Sequence, residues 1–146
     1  MNLEERLVLV YDLFNKGNSC AQTMILGFSD LIAIDREQLF LLSSGLGGGM
    51  ARTNHACGIL SGSVIVLGYR LNQPIYDKTK TYSLISGFVS ELKNEWSNLN
   101  CFDLLGCDLN TEEGKIRFSE KNLKNNICTK VMESAVRRIH RILELP

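Results

Sequence analysis

The sequence has no excess of charge and no long hydrophobic run. Its 16 basic and 16 acidic side chains cancel over 146 residues, so no broad electrostatic field attracts a nucleic acid or an anionic membrane. The longest stretch that is both uncharged and apolar, residues 56–69, is shorter than the roughly 20 residues that cross a bilayer. We therefore expect no nucleic-acid partner and no membrane span.

The sequence contains little proline, and its first residues do not match the pattern of a secretory signal. The chain has only two prolines and no low-complexity tract, which argues against linkers between domains. Its first residues, MNLEERLVLVYDLF, carry glutamates where a secretory signal carries lysine or arginine before an apolar block. A chain of 146 residues can bury a core without disulfides. We expect a single domain over residues 1–146 that works in the cytoplasm.

Strand patterns are missing as well, because no stretch of useful length alternates polar and apolar residues. Apolar residues instead recur every three or four positions, which is typical of amphipathic helices. These apolar stripes begin near Leu3, Ala21, Leu39, Cys57, Tyr82 and Cys128. The pattern predicts an all-α bundle of about five main helices around a buried central helix at about residues 55–71. Residues 107–126 are polar, and we predict an extended surface segment with at most one short helical turn.

A glycine-rich loop precedes the predicted central helix. The run Gly47–Gly49 has no Cβ atoms, so its backbone can adopt a positive φ and approach another group closely. Asn54 is a capping residue type, and we predict that it is the N-cap of the central helix. Gly58 and Gly62 share one face of that helix, where each costs roughly 1 kcal/mol relative to alanine. We expect a neighbouring helix or a bound group to approach them.

Five cysteines need an explanation in a chain of this length. In a reducing compartment such cysteines more often bind metal or do redox work than form staples. Four are predicted at or just after a helix start: Cys20, Cys57, Cys101 and Cys128. The amides of a helix N-terminus favour the thiolate, and we expect the lowest thiol pKa at Cys57. No CxxC pair is present, and cysteine is also a common core residue, so core packing is the competing interpretation.

The order of these motifs resembles a known family. The segments NSCAQ, GLGGGMARTNHACGILSG and NCFDLLG, with a late cysteine before the last helix, are similar to the C_GCAxxG_C_C family of redox-active proteins over about residues 18–143. The resemblance implies that the family's signature cysteines are Cys20, Cys57, Cys101 and Cys128. It also matches the family's glycines to Gly48, Gly49, Gly58 and Gly62, for which we predict a role in binding a cofactor. Ile59 departs from the family, which usually has alanine after the Cys-Gly pair.

Three kinds of function are compatible with these residues. The leading hypothesis is thiol-based redox chemistry, as in a thiol oxidoreductase, in which two or more of the four cysteines cycle between dithiol and disulfide and Cys57 attacks first. The alternative is a metal site, because four thiolates suit both zinc and an iron–sulfur cluster. A related helical module occurs in split-Soret cytochromes, but the absence of CxxCH excludes c-type haem here. The third is a helical interaction module whose cysteines are core residues.

Partners and neighbouring residues follow from the same hypotheses. A redox chemistry requires a redox partner protein or another electron partner, and the uncharged helix with its glycines leaves room for a homodimer contact. Near Cys57, His55 is a candidate base or ligand as well as an ordinary surface residue. Arg52 is a candidate for lowering the pKa of Cys57 or binding an anion. Cys107 has no capping residue before it, and we interpret it as incidental.

Overall fold

The computed structural model describes all residues from 1 to 146. It is 70% helical, with eight helices and no strands, so the prediction of an all-α protein is confirmed. No helix is both long and apolar enough to cross a membrane. A glycine turn (Gly47–Met50) lies before α4, and a π-helical turn (Lys124–Cys128) runs directly into α8. The helices are α1 (Leu3–Asn15), α2 (Cys20–Gly27), α3 (Arg36–Leu42), α4 (Gly58–Leu71), α5 (Lys78–Trp96), α6 (Cys101–Leu105), α7 (Glu112–Glu120) and α8 (Thr129–Ile142).

Side-chain caps define where several of these helices begin. Asn2 caps α1 and Ser19 caps α2, each through a reciprocal pair of hydrogen bonds with the third residue of its helix. The carboxylates of Asp35 and Asp77 accept hydrogen bonds from backbone amides in the first turns of α3 and α5. The sequence predicts the caps of α2, α3 and α5, because capping depends on residues that are neighbours in the chain.

The contact between α2 and α4 forms the centre of the bundle. Every residue from Ala21 to Gly27 is buried, and α4 adds Ile59, Val66 and Leu67 to the same core. Helix α4 also packs against α5 and α8, but its outer face carries the exposed Ile65. The predicted central helix is therefore present, whereas the helix that is buried over nearly its whole length is α2.

Gly58 and Gly62 allow α4 to lie directly against the backbone of α2. A Cβ at Gly62 would lie 2.9 Å from the carbonyl oxygen of Ala21 and 2.9 Å from the Cβ of Met24. A Cβ at Gly58 would lie 2.9 Å from the amide nitrogen of Ala21 and 3.1 Å from the Cβ of Cys20. The group that approaches these glycines is thus α2 itself, and protein atoms fill the space beside them.

Residues 107–126 do not form the extended surface segment that the sequence predicts. They contain the helix α7. The hydroxyl of Thr111 accepts a hydrogen bond from the amide of Gly114 at 3.0 Å, which caps the helix. Glu112 and Glu113 place negative charge in its first turn, where the helix dipole favours it. Helix α7 buries little apolar surface, so its sequence lacks the hydrophobic periodicity on which the prediction relied.

Two further helix starts differ from the prediction. Helix α4 has Cys57 rather than Asn54 as its N-cap, because Asn54 has a φ of +64° and belongs to the turn before it. The sequence predicts that the last helix begins near Asn126, but the helical segment begins at Lys124, with a π-helical turn that runs into α8. Both differences concern the residues that position cysteines.

Two glycines of α4 provide a matched test of the contact with α2. We expect Gly62→Ala to lower the free energy of unfolding by about 1–3 kcal/mol, because the new Cβ overlaps Ala21. Gly68→Ala lies in the same helix with nothing within 4 Å, and we expect it to raise the free energy of unfolding by up to about 1 kcal/mol. Urea denaturation measures both values. Equal effects of the two substitutions would contradict the close contact.

Candidate functional site

A cavity of about 660 Å³ lies where the N-terminal ends of α2, α4 and α6 meet the π-helical turn. Its volume is in the range of small-molecule sites. Four thiols line it, those of Cys20, Cys57, Cys101 and Cys128, and no cysteine of the chain is in a disulfide. The structure therefore brings together the four cysteines that the sequence analysis selected. Cys107 is buried outside the lining.

Three of the four cysteines lie at helix starts, as predicted. Cys20 is the first residue of α2, Cys57 is the N-cap of α4, and Cys101 is the first residue of α6. Cys128 directly precedes Thr129, the first residue of α8, but the backbone before it is already helical. This residue has helical φ and ψ of −56° and −47° and ends the π-helical turn, so the helix has already begun one turn earlier.

A short backbone bridge holds the start of α4 against the start of α6. Ala56 and Asn100 form an isolated antiparallel bridge. The amide of Cys57 donates to the carbonyl oxygen of Leu99 at 2.8 Å, and the amide of Cys101 donates to that of His55 at 3.0 Å. These hydrogen bonds fix two cysteines that are far apart in sequence at one end of the bundle. They also give His55 its role in the fold, through its backbone rather than its ring.

The loop before α4 contains a left-handed turn. Five consecutive residues, Gly48–Arg52, have φ between +53° and +71°, and the amide of Ala51 donates to the carbonyl oxygen of Gly47 at 2.8 Å. A left-handed conformation costs roughly 1–2 kcal/mol for each residue with a Cβ, and three of the five have one. The chain thus carries backbone strain beside the cavity, which the surrounding contacts hold in place.

Gly49 packs closely against His55 and Cys101 and leaves no room for a side chain. A Cβ at this position would lie 2.7 Å from the carbonyl oxygen of His55 and 2.8 Å from the Cβ of Cys101. Of the four glycines predicted to bind a cofactor, Gly48 and Gly58 line the cavity, whereas Gly49 and Gly62 do not. The latter two face protein atoms, so close packing accounts for them.

Burial dominates the ionisation of the thiols. It raises the pKa of Cys57 to about 12, although hydrogen bonds from the amides of Ile59 and Leu60 lower it. The same cause, followed by the neighbouring sulfurs, raises the pKa of Cys101 to about 12. The expectation that Cys57 has a depressed pKa is therefore wrong. The helix amides act in the expected direction, but the loss of solvent around the sulfur is the larger effect.

Cys20 differs from the other thiols in its environment. Its pKa is raised well above the usual range, first by interaction with the side chain of Cys128 and then by burial. The residue is nevertheless half-buried, whereas the other three cysteines of the cavity are buried. Cys20 and Cys128 both line the cavity, and Cys20 is the more accessible of the two.

The remaining lining is mostly apolar and carries charge of one sign. More than half of the lining residues are hydrophobic, and the charged ones are Arg52 and Lys124, with no aspartate or glutamate. The sequence analysis named Arg52 but did not find Lys124. Lys124 precedes Cys128 by four residues, so helical spacing would have placed the two on one face if the start of the helix had been predicted correctly.

The arrangement does not form a metal-ligand set. No group of three or more histidine, cysteine, aspartate or glutamate side chains lies close enough together to hold a metal ion. Structural zinc sites and iron–sulfur clusters are held by four ligands that converge on one point. The four cysteines share a cavity without that convergence, so in this arrangement they fit neither zinc nor a cluster.

Fold and site together define an all-α protein in which four free thiols line one cavity. The chain belongs to the family described as "Putative redox-active protein (C_GCAxxG_C_C)", whose model matches residues 18–142. This match confirms the resemblance seen in the motifs and supports a redox-active protein as the general class. No curated protein and no solved structure matches the chain.

The raised pKa of Cys57 has a measurable effect on its alkylation. At pH 8 a pKa of about 12, against the usual 9.0, leaves the native thiolate fraction about a thousandfold below that of the unfolded chain. A more basic thiolate is a stronger nucleophile, which offsets part of this loss of thiolate. We therefore expect Cys57 in the native protein to react with iodoacetamide about fiftyfold more slowly than in the unfolded chain. The rate should rise about tenfold per pH unit from pH 8 to 11. Peptide-resolved mass spectrometry measures it, and a plateau near pH 9 would argue against the raised pKa.

Two glycines with positive φ test the contact beneath Cys101. Gly106→Ala introduces a Cβ at φ +66° with nothing within 4 Å, and we expect it to lower the free energy of unfolding by about 1 kcal/mol. Gly49→Ala adds an overlap with His55 and Cys101, and we expect a loss of about 2–4 kcal/mol. It should also speed the alkylation of Cys101. Similar losses for both variants, without faster alkylation, would show that Gly49 does not support this thiol.

Proposed function

We propose that this protein carries out thiol–disulfide redox chemistry at the cysteine-lined cavity. One observation supports the proposal most directly: free thiols from four separate segments of the chain line the same cavity. Core packing alone does not require four sulfurs to share an accessible cavity. The match to a family described as redox-active points to the same class of function.

Cys20 and Cys128 are the pair that we assign to the exchange. Both residues line the cavity, and the side chain of Cys128 is the largest influence on the pKa of Cys20, which supports this pairing. Cys20 is also the only half-buried cysteine, so a reaction partner meets it first. This assignment replaces Cys57 as the attacking thiol, because Cys57 is buried whereas Cys20 is half-buried; the pKa of both thiols is raised.

The proposed reaction exchanges two electrons with a disulfide. The Cys20 thiol loses its proton, and the thiolate attacks one sulfur of the substrate disulfide. The substrate S–S bond breaks, a mixed disulfide forms on Cys20, and the other substrate sulfur leaves and takes up a proton as the first thiol. The thiolate of Cys128 then attacks the sulfur of Cys20, closes the intramolecular disulfide and releases the second thiol. The protein dithiol is oxidised by two electrons, and the substrate disulfide is reduced to two thiols.

Cysteine variants test this assignment. Protein that is reduced and kept anaerobic should lose two hydrogens in intact mass after treatment with 2-hydroxyethyl disulfide, and peptide mapping should find a Cys20–Cys128 bond. Cys20→Ser should abolish this bond, and Cys128→Ser should trap a mixed disulfide on Cys20. The matched control is Cys107→Ser, which removes a buried cysteine outside the cavity lining and should leave the exchange unchanged.

Other outcomes would favour the competing functions. Cavity thiols that resist both oxidation and alkylation until denaturant is added would indicate core residues. Protein that is purified anaerobically with stoichiometric zinc, or with the brown colour and charge-transfer absorbance of an iron–sulfur cluster, would indicate a metal site. Any of these results would overturn the proposed exchange.

A further inference from the structure

The charges around the cavity restrict what it can bind. Arg52 and Lys124 are its only charged lining residues, and no acidic side chain accompanies them. The chain as a whole has equal numbers of basic and acidic residues, so the positive charge is a local property of this cavity. A concave site with charge of one sign and partly apolar walls favours ligands of the opposite charge.

Lys124 lies beside the proposed reactive pair. Its Nζ donates to the carbonyl oxygen of Phe14 at 3.1 Å and lies 4.6 Å from the centroid of the Phe14 ring. It lines the same cavity as Cys20 and Cys128, and its charge lowers the pKa of Cys20. An ammonium group has three donors, and Lys124 takes part in none of the chain's salt bridges. Donors therefore remain for a ligand.

Arg52 supplies a second cation from another part of the lining. It is exposed, it ends the left-handed turn with a φ of +65°, and it forms no salt bridge. A left-handed φ is unfavourable for arginine by itself, so contacts with the surrounding structure keep Arg52 in this conformation at the cavity. A guanidinium group binds a carboxylate through two parallel hydrogen bonds.

We propose that the cavity binds a small disulfide that carries carboxylate groups, and that Arg52 and Lys124 select it by charge. The volume of about 660 Å³ fits a small molecule rather than a protein segment with its own fold. The apolar walls accommodate the carbon chain of such a ligand, its carboxylates pair with the two cations, and its S–S bond lies at Cys20. This inference rests on the proposed function, since it names the substrate class for the same exchange.

Three disulfides of similar size and different charge provide the test: dithiodiglycolate is anionic, 2-hydroxyethyl disulfide is neutral, and cystamine is cationic. The rate of thiol release by the reduced protein is divided by the rate with free 2-mercaptoethanol, which removes differences in intrinsic reactivity. We expect the normalised rates to fall from the anionic to the neutral to the cationic compound, with about a tenfold difference between the extremes. The preference should shrink between 20 mM and 500 mM NaCl, because salt screens these charges.

Charge-removing variants connect the preference to the two cations. Arg52→Gln and Lys124→Gln should each lower the ratio of the anionic to the neutral rate by about twofold. Lys121→Gln and Arg70→Gln remove exposed cations outside the lining and should leave the ratio unchanged. Circular dichroism verifies that each variant is folded. If Lys124→Gln does not fold, the salt series on the unaltered protein still tests whether the cavity selects disulfides by charge.

The possible failures are distinguishable. If none of the three disulfides oxidises the protein, the proposed function itself fails. If all three react at equal normalised rates at every salt concentration, the exchange stands and the charge selection is overturned. If the preference exists but survives unchanged in both cavity variants, Arg52 and Lys124 are not its source.

Discussion

The close approach of α2 and α4 is the constraint on which the site depends. Because Gly58 and Gly62 have no side chains, α4 lies against the backbone of α2, and a Cβ on Gly58 would come within 3.1 Å of the Cβ of Cys20. The first turns of the two helices, with Cys20 and Cys57, therefore meet at one end of the bundle. The bridge between Ala56 and Asn100 adds Cys101 to the same place, and the π-helical turn adds Cys128.

The environment of the thiols shows a competition between two local effects. A helix start offers amide donors that stabilise a thiolate, and such donors do lower the pKa of Cys57. Enclosure in a mostly apolar cavity favours the neutral thiol, and for Cys57 and Cys101 this effect is larger. A cysteine at a helix start can thus have a lowered or a raised pKa, depending on how much solvent reaches the sulfur.

Much of this structure follows from local sequence features, and the rest depends on contacts between distant segments. The all-α class, the caps of α2, α3 and α5, and the identity of the four cavity cysteines are readable from periodicity, capping residues and motif order. Helix α7 lacks an apolar stripe, and the π-helical turn that shifts Lys124 and Cys128 has no simple sequence signal. The raised pKa values depend on burial, which only the packed structure shows. Sequence rules therefore located the thiols correctly but misjudged their ionisation.

The absence of carboxylates from the cavity lining also determines the fate of protons. Cys20, the thiol that we assign to the attack, has a pKa raised well above its usual range, so its oxidation near neutrality sets free a proton together with an electron. No aspartate or glutamate borders the cavity to receive this proton, and in the proposed exchange the thiol released from the substrate takes it up. The midpoint potential of such a couple falls by about 59 mV for each unit increase in pH, which ties its reducing power to the acidity of the surrounding solution.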